Sequence, residues 1–168
     1  AALVRELGVA AAGASSAARP RAKGAAPAAY QMTEASSSTK RGRRSFRRTL
    51  DWFAGCGEDR AQLLSTWQGR RLGDEATVVA LRNWAGADGP EGIVAGVARS
   101  GALVTTVLTQ TPGTDPLDAG SVRRLLTQAV EALCELPDGG GCATRPVLEP
   151  AAPVPTGQVP AMLSELDL

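Results

Sequence analysis

Ile93-Val94-Ala95-Gly96-Val97-Ala98-Arg99-Ser100-Gly101-Ala102-Leu103-Val104-Thr105-Thr106-Val107-Leu108 is the stretch whose reading decides the fold. Two short runs rich in β-branched residues, 93–98 and 102–108, flank Ser100-Gly101. A small residue followed by glycine is a tight-turn signal, so the stretch predicts a β-hairpin. Just upstream, Ala76-Thr77-Val78-Val79-Ala80-Leu81 is a third run of the same kind, bounded by Gly73-Asp74 and Gly86. Together they predict three strands in an antiparallel meander.

Outward from the meander the period changes. Phe46, Leu50 and Phe53 recur at helical spacing, and Gly55 and Gly57 supply a stop. A helix is predicted from Lys40 to Cys56. On the other side, Asp118 can cap a second helix, with Val122, Leu126, Ala129 and Leu133 on one face running into Cys134. Helix, strands and helix in that order predict an α+β fold, a meander packed by two helices and framing a cleft. Residues 30–142 are the expected domain. Residues 1–29, rich in Ala, Ser, Gly and Pro, read as a flexible linker or the truncated start of the domain. Residues 143–160, with prolines at 146, 150, 153, 155 and 160, read as a second linker. Neither margin is expected to add to the core.

Composition limits the chemistry. The chain has 168 residues, 43% of them hydrophobic but only 4% aromatic, so Val, Leu and Ala must fill the core. It contains no histidine, which removes the commonest general base and metal ligand together. A Ser-His-Asp arrangement is therefore excluded, and a Ser-Lys pair would need Lys23 or Lys40, both in mobile or exposed sequence. The net charge of +1 gives no global field for nucleic acid or membrane.

Three segments carry a resemblance. They are Leu50-Asp51-Trp52-Phe53-Ala54-Gly55-Cys56, Leu72-Gly73-Asp74-Glu75-Ala76, and Val97-Ala98-Arg99-Ser100-Gly101-Ala102-Leu103-Val104. In order and spacing they resemble the PknH-type extracellular sensor domain family of actinobacteria, which occurs in exported and membrane-anchored proteins, including streptomycete ones. The resemblance implies an antiparallel sheet packed by helices around a cleft, an extracytoplasmic location and receipt of an external signal. Residues 161–168, Ala161-Met162-Leu163-Ser164-Glu165-Leu166-Asp167-Leu168, look like the lead-in to a second copy. Two disulfides are typical of the family. Here Cys134 and Cys142 form one pair, and the resemblance puts a partner for Cys56 before Ala1.

Each chemical motif has a plainer alternative. Cys134 and Cys142 lack the further ligands zinc needs, so a disulfide closing the Gly139-Gly140-Gly141 loop at a helix end is expected and a metal site is not. That glycine run lacks the lysine and Ser/Thr of a phosphate loop. Asp74 and Glu75, adjacent in a strand, should point to opposite faces and not converge: a turn aspartate and a surface glutamate. The basic run Lys40-Arg41-Gly42-Arg43-Arg44-Ser45-Phe46-Arg47-Arg48 reads as a solvated helix face, with anionic lipid or phosphate as its functional alternative. Trp67, Trp84 and Arg99 are the candidate walls of a ligand cleft, stacking and arginine fork together. The expectation is a non-catalytic sensor or ligand-binding domain without cofactor. Its partners would be a cell-envelope or extracellular ligand and a neighbouring domain, with the membrane nearby and nucleic acid disfavoured. The alternative is a structural spacer or assembly domain on the cell envelope.

Overall fold

The computed structural model describes residues 9–17, 28–55, 61–84, 89–115 and 117–151. They form the strands β1 (Val9–Ala17), β2 (Ala28–Ser36), β3 (Ala61–Leu72), β4 (Glu75–Asn83), β5 (Glu91–Ser100), β6 (Leu103–Pro112) and β7 (Ala143–Pro150), with the helices α1 (Thr39–Gly55) and α2 (Ala119–Cys134). The fold is α+β. One sheet runs in the order β1-β2-β6-β5-β4-β3-β7, and every neighbouring pair is antiparallel. It follows that β2 and β3 run parallel, joined over the sheet by α1, and that β6 and β7 run parallel, joined by α2.

The two helices cover opposite faces. Along β4 and β5, Val79, Leu81, Ala95 and Val97 pack with Phe46 and Phe53 of α1, while Ala76, Val78, Ala80, Val94 and Ala98 pack with Val122, Leu126, Ala129 and Val130 of α2. The alternation is that of a pleated strand. Burial on both faces explains why these strands read as near-continuous apolar runs. As the low aromatic content requires, the core is largely aliphatic, and both phenylalanines of the chain sit under α1. Under α2, a Cβ at Gly96 would lie 2.8 Å from the Val122 Cγ1 and 3.0 Å from the Leu126 Cδ2, so glycine lets the helix approach.

The predicted helices and hairpin lie where the sequence put them. The sheet, however, has seven strands rather than three. β3 was missed because Gln62, Ser65, Thr66, Gln68 and Arg70 break any apolar alternation. Residues 143–150, expected to begin a linker, are strand β7 at the sheet edge. Pro146 and Pro150 are tolerated there because an edge strand needs only one row of hydrogen bonds. Leu148 and Ala143 pack against the α2-side core. Residues 9–17, expected to be linker, pair with β2. The domain therefore extends beyond 30–142 on both sides. Cys56 and residues 161–168 lie outside the described residues.

Candidate functional site

At one end of the sheet, β4 begins and β5 gives way to the hairpin turn. Gly101 occupies that turn at φ 62, where a side chain would be strained and would meet the Asp138 carbonyl. Arg99, one of the three predicted cleft residues, is not available to a ligand: its side chain is 3% exposed. Its Nη1 donates to Asp74 Oδ2 at 2.9 Å and to the Gly101 carbonyl at 2.8 Å, and its Nη2 donates to Glu75 Oε1 at 3.1 Å. Arg43 of α1 adds a second donor to Glu75 Oε1 at 3.0 Å.

Asp74 and Glu75 thus converge on one guanidinium, contrary to expectation. The strand alternation that would separate them does not apply, because Asp74 lies in the turn ahead of β4. Asp74 also accepts from the Gly101 N–H at 2.7 Å and, through Oδ1, from the Gly141 N–H at 2.9 Å. Burial pushes the Asp74 carboxyl up, but these backbone N–H groups and the Arg99 charge outweigh it and hold the group below its ordinary value.

The glycine loop is part of the same brace. Cys134 and Cys142 are disulfide-bonded, with Cα atoms 5.2 Å apart. The loop they close sends the Gly140 N–H to Ser100 Oγ at 2.9 Å and accepts the Ala102 N–H at the Asp138 carbonyl, also at 2.9 Å. The end of α2, the β5–β6 hairpin and the β3–β4 turn are therefore fastened at one point. This is what the Leu72–Ala76 and Val97–Val104 segments build.

The other two predicted residues lie elsewhere. Trp67 is half-buried in the α2-side cluster, opposite Val78. Arg99 pairs across the sheet with Val104 and Glu75, on the α1 side. Trp84 follows Asn83, which pairs with Glu91 at the far end of β5. Eight residues of strand separate Glu91 from Arg99, about 27 Å. The three residues share neither a face nor an end, so they do not wall one cleft.

The exposed chemistry lies on α1. Gly42, Ser45, Phe46 and Phe53 are buried, and the Ser45 hydroxyl donates to the buried Glu34 carboxylate at 2.5 Å. Lys40, Arg41, Arg43, Arg44, Arg47 and Arg48 all face outward, with Asp51 and Trp52. Trp52 is 60% exposed, its ring held edge-on against Phe53 at 5.0 Å between centroids. Six cations against one acid give α1 a net charge of +5, so the rest of the chain, at +1 overall, carries −4. Overall charge concealed this asymmetry; counting charge by element would have found it.

Among the described residues no group of three or more His, Cys, Asp or Glu side chains could hold a metal ion, and no helix is long and apolar enough to cross a membrane. Compared with protein-family profiles, curated proteins and solved structures, the chain matches nothing.

Proposed function

We propose that this is a non-catalytic, extracytoplasmic binding domain that uses a surface and not an enclosed catalytic centre. The observation that carries the reading is the saturation of its paired carboxylates. Asp74 and Glu75 converge on Arg99, and Asp74 further accepts from backbone N–H groups while Glu75 accepts from Arg43. Asp74, so held, is a poor proton acceptor, because protonating it would break the brace. The Cys134–Cys142 bond supports an oxidising compartment, where such bonds persist. The resemblance to PknH-type sensor domains points the same way. A spacer role is the second reading, favoured by a sheet covered on both faces.

The test is a hydrolysis screen on the purified chain beside thiol trapping on the native protein in intact cells. No turnover is expected, and Cys134 and Cys142 should be protected from alkylation until reduced. Turnover abolished by Asp74→Asn would overturn the non-catalytic reading. Free thiols in cells would overturn the extracytoplasmic one.

A further inference from the structure

We infer that the outward face of α1 is a docking surface for an anionic lipid bilayer. The inference rests on the binding-domain reading and names the partner of that domain.

Three observations lead to it. The first is charge placement: α1 carries +5 in a chain of +1, all of it on one exposed stripe. From Lys40 to Trp52 the stripe runs roughly 18 Å along the helix. It lies over the sheet as an outward-facing row, a shape that meets a plane and does not enclose a small ligand. The second is Trp52, 60% exposed at the C-terminal end of the stripe. Tryptophan is the side chain best suited to headgroup depth, apolar in its body and polar at its tip. The third is the company it keeps. α1 starts beside the Arg99 brace, through Arg43–Glu75 and Ser45–Glu34, and descends to Phe53, which clusters with Leu63, Leu81 and Ile93. Its C-terminal end therefore lies toward the end of the sheet opposite the brace, and carries Trp52 there.

Cations along the helix with an exposed tryptophan at one end match a bilayer, where arginine stems lie along the interface and their heads reach lipid phosphates. A nucleic acid duplex would use the cations through its phosphates, but the backbone contacts that dominate its affinity give no role to exposed Trp52.

Cosedimentation of the full chain tests this, using phosphatidylcholine vesicles with and without phosphatidylglycerol. The chain should pellet with the mixed vesicles, not with the neutral ones, and should be released by high salt. Each cation near an anionic surface strengthens partition about five-fold, so Arg44→Gln with Arg47→Gln should weaken it about thirty-fold. Both side chains are exposed, and unchanged circular dichroism will show that the fold is intact. Trp52→Ala should weaken vesicle binding and leave any binding to duplex DNA unchanged. Pelleting with neither vesicle, or equally with both, overturns the inference. So does DNA binding tighter than vesicle binding with Trp52→Ala silent in both, which would assign the surface to nucleic acid. The two readings fail separately. Free cysteines in cells with intact vesicle binding would sink the extracytoplasmic reading alone. A bonded protein that ignores anionic vesicles would sink the docking surface alone.

Discussion

α2 starts on Asp118, whose carboxylate accepts from the Gly120 N–H at 2.9 Å and from the Ser121 hydroxyl, and it ends on a cysteine bonded to Cys142. α1 starts with Lys40 and Arg41 in its first turn and has no acid there, so its cations oppose the positive end of its own dipole. The two helices lie on the two faces of one sheet, α1 burying Phe46 and Phe53 and α2 burying Val122, Leu126, Ala129, Val130 and Leu133. Both are capped, since the Ser38 hydroxyl accepts from the Arg41 N–H at 3.4 Å as Asp118 does from Gly120 in α2; what sets α1 apart is the cations it crowds at its positive end. Where local rules fail without a packing reason, function is the usual cause. The difference marks α2 and the Arg99 brace, Arg43 included, as the part of the molecule that secures the fold, and the remaining outward surface of α1 as the part that has been kept for something else.

The largest effect should come from the brace. Arg99→Met leaves the part-exposed Asp74 and Glu75 carboxylates without the buried cation between them, and urea unfolding should show a loss of about 3 kcal/mol. A loss no larger than that of an exposed α1 arginine would abolish the distinction between the two regions. Removing the disulfide with Cys134→Ala and Cys142→Ala should cost about 2.5 kcal/mol, since the bond closes a short loop. If the unfolding midpoint is unmoved, the loop is not what fastens α2.

Acid should act on the brace through Asp74. Its carboxyl lies lower in the folded than in the unfolded chain, so its contribution is present above the unfolded value and is lost as pH falls through the folded one. Thermal unfolding followed down from neutral pH should show the midpoint falling across the lower carboxylate range, and Asp74→Asn should flatten that part of the profile. An identical profile in the variant would remove Asp74 as the cause. The smallest effects separate the helix ends. Asp118→Ala should cost about 1 kcal/mol by uncapping α2. Lys40→Glu should instead stabilise α1 by about 0.5 kcal/mol.

The readable parts of the sequence were those with strong local constraints. β4, β5 and the start of β6 are buried on both faces and so announce themselves as apolar runs, and α2 carries both a cap and a regular stripe. β3 and β7 stayed hidden because they lie at or next to the sheet edge, half-exposed, with side chains typical of loops and with prolines at 146 and 150. Trp67, Trp84 and Arg99 were grouped by residue type, and type does not reveal face or end. Register does: once β4 and β5 are paired, Glu75 falls opposite Arg99, and the brace could have been anticipated. The buried Arg82 gave no such signal. It donates to the carbonyls of Gly113, Thr114 and Asp115, and backbone partners leave no trace in side-chain spacing.

The central claim, that the outward cations of α1 other than Arg43 serve docking and not folding, is tested most directly by the urea unfolding midpoint of the chain carrying Arg44→Gln and Arg47→Gln. The midpoint should equal or exceed that of the native chain, because these side chains are exposed and repel one another along the helix. A loss of more than about 1 kcal/mol would contradict the account, since exposed positions with no structural role rarely cost more than about 0.5 kcal/mol.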